Sequence, residues 1–80
     1  MKLRIAAYGI ARDILGGSQI EYETKDSINS GELLAALKND YPDFKELTSL
    51  LVAINSEYAQ PDQLITEKDE VVLIPPVSGG

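Results

Sequence analysis

The sequence predicts an α+β roll, a mixed sheet covered on one face by one main helix. Three patterns lead there. Both ends of the chain alternate apolar and polar residues, one capped apolar stripe in the middle has helical spacing, and short β-branched runs separated by turn residues fill the second half. Eighty residues make one domain with a modest core. There are no internal repeats and no low-complexity stretches.

Residues 2–8 read as the first strand. Leu3, Ile5 and Ala7 share one face, while Lys2, Arg4, Ala6 and Tyr8 share the other. Residues 18–24 alternate again, with Ile20 and Tyr22 directed to the core and Glu21 and Glu23 to water. Between them, Gly9 and the Gly16-Gly17 pair bracket a stretch containing Arg12 and Asp13, which is expected to be the long, partly ordered loop of a hairpin.

Asn29 with Glu32 three residues on is the signature of a capping box, with Asn in place of the usual Ser or Thr. Leu33, Leu34, Leu37 and Tyr41 then form one buried helical face, and Pro42 ends the helix because the residue before a proline is pushed out of the helical region. A short helical turn is expected over residues 44–50. Residues 51–55 form a third strand, Asn55-Ser56 a turn, and residues 57–59 a short strand. Pro61-Asp62 is another turn, after which Leu64 and Ile65 are expected to plug the core from a loop. Lys68-Asp69 turns the chain into the last strand, residues 70–74, which is expected to lie parallel to the first. The domain is read as residues 1–74, followed by a separate extended tail, residues 75–80.

Composition excludes most side-chain chemistry. The chain has no Cys, His or Trp. Tetrahedral zinc sites, haem and iron–sulfur ligation, and Ser–His or Cys–His nucleophile pairs all need residues it does not have. No metal and no bound cofactor are therefore expected. Thirteen acidic residues against seven basic ones give a net charge of −6, which argues against nucleic acid as a partner. It fits either simple solubility or steering toward a basic protein. The N-terminal residues alternate at once and lack the apolar core of a signal peptide. No apolar run approaches the roughly 20 residues that span a membrane, and a cytoplasmic location is expected.

The tail is the chemically distinctive part. Pro75 and Pro76 favour an extended path, Val77 and Ser78 are small, and Gly79 and Gly80 carry no side chain. Six extended residues reach roughly 20 Å, enough to enter another protein's active site. A cleft closing around a main-chain carboxylate has no room for a Cβ, which suits glycine. A terminal Gly-Gly is also what a frayed chain end looks like. The Pro-Pro strut leaving directly from a strand favours a working tail. Its reactive group would be the Gly80 carboxylate, made a good acyl donor by attack on ATP to give an acyl-adenylate. A sulfur or nitrogen nucleophile would then displace AMP, with every catalytic group supplied by a partner.

These residues carry a family pattern. Asp69-Glu70-Val71, a short apolar strand, and then Pro75-Pro76-Val77-Ser78-Gly79-Gly80 closely resemble the MoaD family, the small sulfur-carrier subunits of molybdopterin synthase. Arg12-Asp13-Ile14-Leu15-Gly16 is similar to the family's Arg-Glu-Leu-x-Gly segment, and Ala53-Ile54-Asn55 to its Ala-Val-Asn. Lys68 stands where the family usually has Gly, which implies a small strain there if that position needs positive φ.

The resemblance implies a ubiquitin-like β-grasp fold and no catalytic residues of the chain's own. It implies adenylation of Gly80 by a MoeB-type E1-like enzyme using ATP, and conversion to a thiocarboxylate by a sulfur donor. A MoaE-type large subunit would receive the tail, and sulfur would pass to a pyranopterin precursor of the molybdenum cofactor. Strand parity places Tyr8, Val72 and Ile74 on the open sheet face with Tyr58 nearby, a docking patch at the root of the tail, and Arg12 is a further contact candidate. Tyr22 and Tyr41 are expected in the core. The same tail also suits a sulfur carrier for thiamine synthesis or tRNA thiolation, or a ubiquitin-like protein modifier.

Overall fold

The computed structural model describes residues 1–76. The expectations for Val77, Ser78, Gly79 and Gly80 lie outside the described residues. The elements are β1 (Lys2–Ala7), α1 (Gly9–Leu15), β2 (Gln19–Glu23), β3 (Ile28–Asn29), α2 (Ser30–Asp40), a 3₁₀ turn (Pro42–Glu46), β4 (Leu51–Ile54), β5 (Glu57–Tyr58), β6 (Leu64–Ile65) and β7 (Val71–Ile74). Five strands form one sheet in the order β2-β1-β7-β4-β5. β1 and β7 are parallel at its centre, and the other pairs are antiparallel. This mixed sheet, covered on one face by helices, is the β-grasp arrangement.

Alternation decides which face is covered. Leu3, Ile5 and Ala7 on β1, Val71 and Leu73 on β7, and Val52 and Ile54 on β4 all point to the helical side and are buried. Leu33 and Leu37 of α2 and Phe44 of the 3₁₀ turn close that core. α2 starts as the sequence predicts. The Asn29 side chain accepts from Glu32 N at 2.8 Å, and the Glu32 carboxylate accepts from Asn29 N at 3.0 Å, so two donors that the helix itself leaves unpaired are satisfied. Lys25 and the Asn29 backbone hold the Glu32 carboxyl below the usual range. Leu34 and Tyr41 are only half-buried, and Tyr41 caps the helix from outside it. Tyr22 is half-buried as well, and its hydroxyl donates to Asp40, tying the edge strand to the end of α2. Burial and the Asp40 charge push the Tyr22 phenol well above its ordinary value.

Three expectations are corrected. The segment after β1 is not a partly ordered loop but the helix α1, which buries Ala11 and Leu15. Gly16, at φ 84°, ends it, with the Gly16 and Gly17 N–H groups both donating to Arg12 O. Leu64 and Ile65 are not a loop plug. They form β6, paired with β3 through Ile28↔Ile65 and Asn29↔Leu64. Alternation in β6 buries Ile65 and leaves Leu64 65% exposed. The turn after Pro42 starts at the proline and ends at Glu46, earlier than predicted, because the Pro ring is already set for a first helical position.

Lys68 carries no positive φ. Outside glycine, the residues with positive φ among those described are Asn55 and Ser56, at 53° and 72°. That is the two-residue turn whose twist suits a tight hairpin, here between β4 and β5. Replacing Asn29 with Ala is expected to cost about 1 kcal/mol, read as a lower denaturant midpoint with an unchanged slope.

Candidate docking face at the root of the tail

β7 lies at the centre of the sheet, so its open-face side chains have neighbours on both sides. The register places Ala6 beside Val72, Val72 beside Ala53, and Ala53 beside Tyr58, with Gln19 opposite Ala6. One row of side chains therefore crosses all five strands. Leu51 pairs with Ile74 one step nearer the tail. Tyr8 follows Ala7, whose partner is Leu73, so it emerges at the same end as Ile74.

The patch is apolar and open. Tyr8 and Tyr58 are 62% and 67% exposed, and Leu51 is 48% exposed. Val72, Ile74, Pro75 and Pro76 are half-buried. Small Ala6 and Ala53 form a floor between the tyrosines, and beside Ala6, Tyr8 and Val72 lies a mostly polar depression of about 340 Å³ walled by Arg4, Gln19, Lys68, Asp69 and Glu70. Contiguous exposed apolar surface of this kind marks an interaction site, and a patch with two tyrosines beside small residues has the composition of an interface centre.

The sequence-predicted residues fall in two groups. Tyr58, Val72 and Ile74 are brought together on the open face. Tyr8 joins them from just past β1, where it caps α1, rather than from within the strand. Arg12 stands on the exposed side of α1, with Asp13 3.8 Å away. Leu51 escaped the sequence reading, although it sits at even spacing from Ala53 and out of phase with Val52 and Ile54, which is a sufficient signal. Among the described residues no group of three acidic side chains could hold a metal ion, and no helix is long and apolar enough to cross a membrane.

A polar clamp fixes the far end of this face. Asn55 N donates to Glu70 O and Glu70 N to Asn55 Oδ1, both at 2.9 Å. Asn55 Nδ2 donates to Asp69 Oδ1 at 2.9 Å, and Thr66 N to Asp69 Oδ2 at 2.8 Å. One side chain thus joins the β4–β5 turn to the start of β7. The Thr66 amide first, then the Asn55 amide, hold the Asp69 carboxyl below its ordinary value.

The model of the ThiS family matches residues 6–80 of this chain. The molybdopterin synthase sulfur carrier subunit of Dictyostelium discoideum is 32% identical over 83 residues, covering 99% of this chain and 96% of that protein. Two solved structures share the fold. SAMP1 from Haloferax volcanii has a TM-score of 0.80 at 21% identity, with both chains fully covered. A chain from the complex of subunits 1 and 2 of the molybdopterin-converting factor of Helicobacter pylori has a TM-score of 0.65 at 21% identity, again with both fully covered.

Two outcomes test the clamp. Asn55→Ala is expected to cost roughly 1–2 kcal/mol, because it removes two hydrogen bonds and puts a Cβ without a polar partner at positive φ. A depressed carboxyl contributes stability that is fully present above the unfolded-state value and is lost as pH falls through the folded one. Unfolding of Asp69→Asn should therefore show a shallower acid limb than the parent, with the curves converging at low pH.

Proposed function

This chain belongs to the ThiS family, and on that premise we propose that it is the sulfur-carrier subunit of a molybdopterin synthase. What carries the reading is that the exposed tyrosine-flanked patch surrounds the strand from which the Pro-Pro-Val-Ser-Gly-Gly segment departs. Recognition and chemistry are then separate. The folded face docks, and the tail delivers a reactive end. The Dictyostelium relative, similar along its whole length, supports the molybdopterin assignment over other sulfur-carrier pathways.

The chemistry proceeds in balanced steps. A Gly80 carboxylate oxygen attacks the α-phosphorus of ATP on a MoeB-type activating enzyme, releasing pyrophosphate and leaving an acyl-adenylate. The terminal sulfur of a donor persulfide adds to the carbonyl carbon and displaces AMP, giving an acyl disulfide. A thiol then attacks the donor's own sulfur, forming a disulfide with it and releasing the thiocarboxylate. Docked on a MoaE-type large subunit, the tail places that sulfur against the pyranopterin precursor. The thiocarboxylate sulfur forms a bond to a precursor carbon as that carbon's bond to oxygen breaks and the oxygen leaves. Hydrolysis of the resulting thioester leaves the sulfur on the product and returns the Gly80 carboxylate. This chain supplies position and the acyl group, while acids, bases and phosphate ligands come from its partners. Glycines 79 and 80 let both active sites close on the main chain.

Intact mass after incubation with an activating enzyme, ATP and a sulfur source is expected to rise by the exchange of one oxygen for sulfur, mapped to Gly80. No gain where a control carrier is loaded would refute the assignment. Transfer to a thiazole synthase without binding to the large subunit would move the chain to thiamine synthesis. Adducts on many lysines would make it a modifier. On the docking face, Ile74→Arg is expected to weaken large-subunit binding by about 1–3 kcal/mol. Removing Gly79 and Gly80 should abolish sulfur loading while leaving the melting temperature unchanged.

A further inference from the structure

Gly9 lies where β1 and β7 part. The parallel register ends at Ala7↔Leu73. Two residues later along β1 the chain is at Gly9, and two residues later along β7 it is at Pro75. Gly9 adopts φ +54°, in the left-handed region, and a Cβ built on it would stand 3.8 Å from Pro75 Cγ. Tyr8 before it is extended, with φ −130° and ψ 162°. One residue therefore bends the chain from strand into α1, and its bare Cα lies under the first proline of the tail.

Each partner contributes something specific. Pro75 and Pro76 have no N–H, so the β1–β7 ladder cannot extend past Ile74 from that side. Without that ladder, the restricted proline backbone and side-chain contact set the direction in which the chain leaves the sheet. A Cβ at position 9 would already reach van der Waals contact with the proline ring, and atoms beyond it would compete with the ring for that surface.

We propose that Gly9 is a positioning residue for the tail: it seats Pro75 and so sets the direction in which the chain leaves β7. The proposal rests on the sulfur-carrier reading for its consequence, but the seat itself is a feature of the fold. Gly9 touches no reacting atom. It acts through Pro75.

The test uses the full chain with Gly9→His, since His is among the side chains that tolerate positive φ, at about pH 8 where the imidazole is neutral. Preloaded thiocarboxylate is mixed with the large subunit and precursor in single turnover. Misdirection of the tail is expected to slow sulfur transfer about tenfold or more, since small displacements of a reacting group have effects of that size. The dissociation constant for the large subunit should change far less than the transfer rate, because Tyr58, Val72 and Ile74 keep their places on the open face. Pro75→Ala removes the ring that the new side chain displaces. Gly9→His combined with Pro75→Ala is therefore expected to be no slower than Pro75→Ala alone, the signature of coupled sites.

Multiplying effects in the double variant would overturn the proposal. So would a Gly9→His loss matched by equal weakening of binding or by unfolding. A parent chain that accepts no sulfur would remove the sulfur-carrier reading. The seat would then be judged by the proton contact between Gly9 Hα and the Pro75 ring in solution, which it requires and whose absence would refute it.

Discussion

The parallel pairing of β1 with β7 is the constraint on which the rest depends. Ile5↔Val71, Ala6↔Val72 and Ala7↔Leu73 bring strands from the two ends of the described chain together at the centre of the sheet. Parallel neighbours cannot be joined by a tight turn, so everything between residues 8 and 70 must cross over and return. α2 makes that crossover and supplies the lid of the core. Because β7 is central, it has a neighbouring strand on each side.

The same pairing separates two tasks that a small chain would otherwise struggle to combine. Strand alternation sends Val71 and Leu73 into the core and Val72 and Ile74 to the open face, so one four-residue strand anchors the fold and builds the patch. The patch uses small residues at Ala6 and Ala53 where flatness is needed and tyrosines at its margins. The chain has no His or Cys, and the proposed chemistry takes place at a main-chain end inside partner sites. A net charge of −6 then bears on encounter and solubility rather than on reaction.

Much of this was legible because it rests on local rules. The Asn29–Glu32 box, the alternation of β1 and the proline stop after β7 each depend on a few adjacent residues. The placement of Val72 and Ile74 on the open face followed from parity alone. The misses have physical causes as well. α1 has seven residues and two buried ones, too few for a periodic signal, and it begins at a glycine after a tyrosine that offers no side-chain cap. β3 and β6 have two residues each and exist only because the fold brings Ile28 to Ile65. The strain inferred at Lys68 is absent because the Thr66–Asp69 turn, closed by Asp69 N donating to Thr66 O, does not place Lys68 at positive φ.

The central claim is that sulfur carried on Gly80 is the sulfur that reaches the product. The direct measurement is a single turnover with isotopically labelled thiocarboxylate, preformed on this chain, mixed with the large subunit and the pyranopterin precursor without any other sulfur source. The account predicts labelled dithiolene product, with two chains returned to their carboxylate mass for each dithiolene formed, since each chain carries one sulfur. Product without the label, or a loaded chain that binds the large subunit and keeps its sulfur, would contradict it.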